Sequence, residues 1–547
     1  MDHQPGACIG EHLDSQVEIK MDIRGKKIWI IGAARSGIAA ARILHGQGAH
    51  LFVSDSAIIP DAQKNILREL GIPFEEGTHS LERMSQEANF IVLSPAITLD
   101  SQIALAARRS GIPIYGEIEI ASWFMPSSAF LLGITGTNGK STTTHYASQL
   151  FALGQRNSVA CGNYGLPLAE ALMDPARFNS FMIELSSYQL ESTWSLRPNV
   201  TIFLNLQNDH MARYGNMDEY LKAKWRLVTL TKKDGLAIVE HTVLRKAIHL
   251  GLPLPECRIA IMHGFLDSNP TRGIRLPDKR ISNQGVSNPE VLSKLPIQTY
   301  GSLANLDFDT LADSADIIHI WMERLAGKSS GHKLHIASVD PKGMDIELEI
   351  HNPCLSGEHN QFNIATASVA ALLDGMHPNI IRAQWNSNTT AYEHLSHRLE
   401  DINRNLPLTD SKGVQKSVRA INDSKATNVE STLVAVKSFS SSIRLLLGGE
   451  PKGDYYGELG PFIGKNICRI YPFGKAAPLI RQHLAGYEQF LAPSSPKLAA
   501  AAQLALDESA DGDIVLLSPA CASFDEFKNF EHRGDAFRHW VLQQKDK

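Results

Sequence analysis

The sequence predicts an α/β protein of three domains, each built on a mostly parallel sheet, and three observations predict it. Short apolar segments alternate with helical stretches along most of the chain, as parallel strands joined by crossover helices require. Several of those segments run directly into glycine turns. At roughly 100–200 residues per domain, 547 residues make three or four domains.

The elements follow in order. Residues 1–20 read as a disordered lead-in. KKIWIIGAARSG then gives a strand, a glycine turn and a helix start, IAAARILHGQGAH the helix, and LFVSDS a second strand, which together make one βαβ unit. Gly32 and Gly37 keep the turn, but Ala33 and Ala34 stand where G-x-G-x-x-G needs another glycine. Dinucleotide specificity therefore has little support, and a nucleotide-sized ligand still fits the pattern. Alternation continues through FIVLSPAI and IPIYGEIEI, and SWFMPSS reads as a linker, which bounds a Rossmann-like domain at 21–122.

A central domain at 123–395 opens with the strand LLGIT and continues with FMIEL and VTIFLNL. From about 241 to 330 the text loosens into DSNPTRG and LPDKRISNQGVSNPE, read as an insertion. KLHIASVDPKGMDIELEIH restores order as two alternating strands around a Pro-Lys-Gly turn. In 396–547, SVRAIND, IRLLLGG, ICRIYPFG and IVLLSPA are each followed by a helical pattern, a second Rossmann-like domain.

Composition removes several functions. Lys plus Arg total 53 against 58 Asp plus Glu, a formal net charge of -5, so bulk electrostatics give no case for nucleic acid. Six cysteines without a C-x-x-C pair fit neither a disulfide framework nor a zinc site, and a reducing cytoplasm is the expected location. No apolar run approaches the ~18–20 residues of a membrane span, so no membrane insertion is expected.

The strongest chemical signal is GITGTNGKSTTT at 133–144, where a strand delivers the loop Gly136-Thr137-Asn138-Gly139 into a helix beginning Lys140-Ser141-Thr142. Such a loop holds phosphates. Backbone N–H groups at the helix start point at the anion, Lys140 neutralises β- and γ-oxygens, and the Ser141 hydroxyl can ligate Mg²⁺. Ile134 occupies the position of the leading glycine of the longer G-x-x-x-x-G-K-[ST] form, which marks this as a P-loop-type variant. Glu184 and His210 close the strands FMIEL and VTIFLNLQNDH, and the carboxyl edge of an open sheet is where ligands and metal sit.

A helical wheel of DEYLKAKWRLVTL at ~100° per residue puts Tyr220, Leu221, Trp225, Leu227 and Val228 in one sector, with Lys224 among them and Lys222 and Arg226 facing solvent. Burial disfavours the charged form of a lysine, and the neutral amine can add CO₂ to form a carbamate. A lysine that snorkels to water is the alternative. The last domain places Asp423, Lys425, Thr427, Lys452 and Ser523 at strand ends, a crevice suited to an anionic small molecule, with Arg398 at the expected hinge into the domain.

With these blocks in order, the sequence resembles the Mur ligase family of peptidoglycan synthesis, closest to its glutamate-adding branch. ITGTNGKST, ELSSYQLE, the NDH-x-x-RY run, SGEHNQFN, HRLE, INDSKATN, LLLGG and LSPACASFDEFKNFEHRG carry the likeness. The resemblance implies that Gly136 to Thr142, with Asn360, Asn363, Arg398, Asp423 and Lys425, bind ATP. Catalysis would fall to Lys140, Glu184, His210 and Lys224, and metal binding to Ser141, Glu184, His210 and carbamylated Lys224, with two Mg²⁺ ions. UDP-substrate contacts would be Arg35, Ser36, Asp55, Ser56, Asn163 and Ser186. Thr427, Lys452, Ser523, Phe524 and Phe530 would position glutamate.

The implied reaction is ATP-dependent ligation of D-glutamate to UDP-N-acetylmuramoyl-L-alanine through an acyl phosphate, by a monomer. Ligation of L-glutamate or another amino acid is the alternative. Ala57 stands where the family has an arginine, and Ala96 where it often has a glycine near the UDP moiety.

Overall fold

The computed structural model describes residues 22–174, 176–209, 211–266, 318–324, 331–338, 345–351, 358–386, 396–403, 406–439 and 441–545. The expected lead-in lies outside them. They form two compact units, Met1–Asn352 with Phe362–Ser387, and Pro353–Gln361 with Asn388–Lys547.

The first unit contains two sheets. In the first, β1 (Lys27–Ile31), β2 (His50–Asp55), β3 (Phe74–Glu76), β4 (Phe90–Leu93) and β5 (Ile114–Gly116) are parallel in the order β3-β2-β1-β4-β5. The switch in direction beside β1 puts the Gly32 turn at the crevice where such sheets take ligands. Gly32 has φ +96°, a conformation side chains rarely adopt. A Cβ on Gly37 would run into the Gly32 carbonyl, so the helix Arg35–Gly46 packs this closely only with glycine there. β3 carries no apolar alternation, which is why the sequence hides it.

The second sheet has nine strands. β6 (Phe130–Thr135), β7 (Ser158–Gly162), β8 (Ser180–Glu184), β9 (Val200–Phe203), β10 (Leu236–Glu240) and β11 (Arg258–Leu266) are parallel, and β12 (Ile318–Arg324) joins them. β13 (Gly331–Ser338) and β14 (Asp345–His351) add an antiparallel edge, giving β14-β13-β12-β11-β10-β9-β6-β8-β7. β6 is buried at every position, as a central parallel strand should be. The stretch from His241 is more regular than its loop-like text suggests. It opens with the helix His241–His249, capped by Glu240, continues into β11, and near its end supplies β12; residues 267–317 and 325–330 of the expected insertion lie outside the described residues.

The linker expected after Ala121 is preceded by a short helix, Glu117–Ser122, that ties the two sheets together. Glu119 is 2% exposed and accepts four hydrogen bonds: from the backbone N–H of Trp194 (2.6 Å) and Ser195 (2.8 Å), the Ser195 hydroxyl (2.5 Å) and the Trp123 indole (3.0 Å). Glu117 accepts the Ala169 N–H at 2.6 Å. Burial pushes the Glu117 carboxyl up to about 7, with the N–H groups of Ala169 and Leu168 pulling the other way. One core then runs from Ile28 and Ile30 of the first sheet to Phe181 and Ile183 of the second.

The second unit holds β15 (Glu400–Asp401), β18 (Arg419–Asn422), β19 (Ile443–Gly448), β20 (Ile467–Phe473) and β21 (Ile514–Leu517) in the order β15-β18-β21-β19-β20, with β16 (Leu408–Thr409) and β17 (Gln415–Lys416) as a separate hairpin. Only β15 is antiparallel in this five-stranded sheet. The strand segments read from the sequence are β18, β19, β20 and β21. No described helix is long and apolar enough to cross a membrane, and Cys161, Cys257, Cys468 and Cys521 are free.

Two outcomes test the tie between the sheets. Glu119→Ala strands buried donors and should cost about 3 kcal/mol in urea unfolding. For Glu117, a folded value above the unfolded 4.5 means that stability is full below about 4.5 and declines as pH rises through about 7. Glu117→Gln should therefore gain in Tm relative to the parent chain as pH is raised across that window.

Candidate active site

The loop after β6 is shaped by two glycines at positive φ, Gly136 (+148°) and Gly139 (+83°), and ends in the helix Lys140–Leu153. It is held by the segment that follows β9. The Asn205 Oδ1 accepts the N–H of Thr137 (3.1 Å) and of Asn138 (2.9 Å), while its Nδ2 donates to the Asn138 carbonyl (3.0 Å). The Asn138 amide donates to Gln207 Oε1 at 2.6 Å, and the Gln207 N–H donates to Thr137 Oγ1 at 2.9 Å. Lys140 Nζ folds back to the Thr137 carbonyl at 2.7 Å. Asn363, buried on the helix Glu358–Leu373, sits so close to Gly139 that a Cβ there would collide with its Oδ1. The glycine is needed both for its φ and for this approach.

Lys224 is 1% exposed on the helix Met217–Thr229, within the apolar sector that the helical wheel predicts. It does not snorkel. Its Nζ donates to the Gly136 carbonyl at 2.8 Å and lies 4.8 Å from the centre of the Tyr220 ring. Burial, then the neighbouring Lys140 cation, hold its ammonium well below the usual lysine range, opposed by Asp209 and Glu184. Lys140, Glu184 and Lys224, separate in the sequence, thus share one electrostatic neighbourhood. Arg226 departs from its expected solvent-facing place: it is half-buried, donates to the Thr193 carbonyl at 2.7 Å and covers the Trp194 ring, a long stem finding apolar cover.

Glu184, at the end of β8, is 2% exposed and accepts the Asn163 amide at 2.8 Å, so these two expected residues meet. Ser141 and Thr142 are buried in the first helical turn. His210 lies outside the described residues. Ser186 caps the helix Ser187–Leu190: its hydroxyl accepts the Gln189 N–H, and the Gln189 Oε1 accepts the Ser186 N–H. Among the first-sheet residues, Asp55 accepts the N–H of Ala33 (2.7 Å) and of Ala57 (2.9 Å), which shapes the turn. Arg35 donates to the Gly165 carbonyl, in the turn after β7, at 2.7 Å. Ser36 is half-buried and Ser56 exposed.

In the second unit, Asp423 is buried and pushed up to about 7 by that burial, with the Ser518 hydroxyl, the Leu399 N–H and then Arg398 and Arg533 pulling it back. The Lys425 N–H donates to the His397 carbonyl, and its ammonium lies 3.9 Å from the Phe530 ring centre. Lys452 Nζ donates to Thr427 Oγ1 at 3.4 Å. Ser523 is 2% exposed, and its hydroxyl has no hydrogen-bond partner among the described residues. Phe524 is 71% exposed, and Asn360 is half-buried three residues before Asn363.

Sequence reasoning missed several residues. Asn205 and Gln207 carry only the signal of two amides directly after a strand, and Asp209 that of a carboxylate before His210. Arg533 is fully buried, and burial lowers its guanidinium to about 10. It donates to the carbonyls of Ser424, Cys521 and Ala522 and to the Ser424 hydroxyl, so it fixes the loops that carry Lys425 and Ser523.

Comparison with known proteins identifies the family. The Mur ligase middle domain matches residues 134–252, and the Mur ligase MurD-like N-terminal domain matches residues 26–116. The UDP-N-acetylmuramoylalanine–D-glutamate ligase of Koribacter versatilis is 31% identical over 527 residues, 95% of this chain and 98% of its own. The ligase of the same name from Chloroherpeton thalassium is 32% identical over 531 residues, 95% and 99% of the two chains. In fold, the chain is similar to the crystal structure of the UDP-N-acetylmuramate–alanine ligase MurC from Thermotoga maritima, with a TM-score of 0.53 at 14% identity, covering 95% of this chain and 100% of that one. Matched over 95% of its length at this identity, the chain belongs to the Mur ligase family, in the branch that holds these two D-glutamate ligases.

Proposed function

We propose that the chain is an ATP-dependent ligase that joins D-glutamate to the alanyl carboxylate of UDP-N-acetylmuramoyl-L-alanine. The observation that carries this reading is the near-full-length match to relatives of that name, in a chain whose phosphate loop, Glu184 and Lys224 lie together. A carboxylate and a triphosphate repel each other, so the first step needs cationic and N–H groups around the terminal phosphoryl. Lys140 and the first-turn amides of its helix, which have no intrahelical acceptor, supply them. An alanyl oxygen attacks the γ-phosphorus, the bond to the β–γ bridging oxygen breaks, and ADP leaves. The glutamate amine then attacks the acyl carbon, loses a proton, and the tetrahedral species expels phosphate as the amide forms.

Glu184 and Ser141 are buried oxygen donors, which fits a hard divalent cation such as Mg²⁺. They would hold it together with His210 and a carbamate on Lys224; the ion, or pair of ions, supplies further neutralisation of phosphate charge. Lys224 suits carbamylation because its amine is buried and its ammonium disfavoured. The nitrogen lone pair forms a bond to the carbon of CO₂, an oxygen takes the π pair, and a proton departs. Asn163, Ser186, Arg35, Ser36, Asp55 and Ser56 are the residues for the UDP-sugar.

In the second unit, Arg398, Asp423 and Lys425, with Asn360 on the helix before them, are assigned to the nucleotide. Lys452, Thr427 and the buried Ser523 hydroxyl are assigned to the glutamate carboxylates, which would give Ser523 its missing acceptor. Phe524 and Phe530 flank the amino acid's carbon chain.

Phosphate release with ATP and UDP-N-acetylmuramoyl-L-alanine should require D-glutamate and stay at background with L-glutamate; silence with both isomers would remove the assignment. For the phosphate loop, Gly139→Ala forces a side chain into a left-handed conformation at a cost of about 1–3 kcal/mol. It should lower kcat/KM for ATP roughly 10–100-fold, with KM for glutamate unchanged, in steady-state assays.

A further inference from the structure

We infer that Asn205 is a positioning residue for ATP: it acts through the Thr137–Asn138 peptides to set Lys140 and the helix start against the terminal phosphates. The inference rests on the ATP reading above and goes beyond it, because the Asn205 side chain is bonded to the loop itself.

The geometry is specific. A phosphate loop usually turns its backbone N–H groups toward the anion. Here the N–H groups of Thr137 and Asn138 both turn the other way, onto Asn205 Oδ1, and the Thr137 N–H also lies 3.0 Å from the Asn205 backbone carbonyl. The Asn205 side-chain amide pairs with the main chain of Asn138 in both directions, accepting its N–H and donating to its C=O. That two-way pairing fixes which end of the amide carries oxygen. The opposite edge of the same Thr137 peptide unit is thereby committed: its carbonyl is the group that receives Lys140 Nζ.

Consequences follow for how the anion is held. Two of the loop amides are spent on the strand side, so phosphate contacts fall to the helix start from Gly139 onward and to Lys140. Gln207 doubles the tether through the side chains of Asn138 and Thr137, and the Leu204 N–H donates to the Thr135 carbonyl, so residues 204–207 lie along the loop as a continuation of the sheet. An aspartate at 205 would keep both acceptor bonds, lose the donor to the Asn138 carbonyl and add a negative charge close to the triphosphate. A glutamine would keep the chemistry but carry it one methylene too far.

The test compares Asn205→Ala, Asn205→Asp and the parent enzyme. ATP affinity is read by the Tm rise that the ATP analogue AMP-PNP with Mg²⁺ produces, and by the KM for each of the three substrates. Asn205→Ala should raise KM for ATP by about tenfold or more while KM for glutamate and for the UDP-sugar stay within about twofold. Asn205→Asp should be worse than alanine for ATP, although it keeps more of the loop's hydrogen bonds. A general folding defect would instead lower the amount of active enzyme and leave all three KM values alone. Equal KM for ATP in parent and variants, or an aspartate better than alanine, overturns the inference. A parent enzyme whose Tm does not respond to AMP-PNP with Mg²⁺ overturns the ATP reading itself.

Discussion

The first unit depends on how one peptide segment, Gly136 to Asn138, is anchored. Its carbonyls and amides are divided among groups from three places: Lys224 on the Gly136 carbonyl, Lys140 on the Thr137 carbonyl, and Asn205 on the Thr137 and Asn138 amides. Two of these three are lysines, and one is almost wholly buried. A loop that must receive a highly charged anion is best built stiff, because every rotatable bond frozen on binding weakens the complex. Central strands buried along their length supply that stiffness: β6 enters the loop, and β9 beside it delivers Asn205 and Gln207.

Buried ionisable groups mark the two places where the first unit is under electrostatic tension. At the loop, Lys224 is held against apolar neighbours where its charged form is disfavoured, which is costly for stability and useful for reactivity. Between the two sheets, Glu117 and Glu119 are equally buried, yet they differ in partners. Glu119 has four donors, and Glu117 is pushed toward its neutral form. Glu119 therefore reads as an anchor and Glu117 as a pH-dependent contact. The Asp55 carboxylate, expected to face a ligand, accepts two backbone N–H groups and so shapes the turn around any ligand held there.

Much of this was legible in the sequence because it obeys periodicity. Strands β18 to β21, the glycine turns and the inward face of the Lys224 helix all follow from the alternation of strand and helix or from the 100° wheel. What escaped has a physical reason in each case. β3 is three half-buried residues with no apolar pattern. The helix and strand between His241 and Leu266 precede a polar, loop-like run that colours the whole window. Asn205 and Arg533 act on backbone atoms of other segments, and Gln207 on the side chains of Asn138 and Thr137; no local rule exposes a side chain whose partner lies far off in the sequence. Arg226 looks like a solvent-facing residue by angle alone, but the Trp194 ring offers its stem a better place.

The account stands on the claim that a triphosphate is bound by the helix start at Gly139 and not by the loop amides before it. The most direct measurement is a crystal structure with a non-hydrolysable ATP analogue and Mg²⁺. The expected map has the terminal phosphate against the amides from Gly139 to Thr142, Lys140 moved from the Thr137 carbonyl to a phosphate oxygen, and Asn205 still paired with Asn138. Phosphates contacting the Thr137 and Asn138 amides with Asn205 displaced, or a nucleotide bound away from this loop, would contradict it.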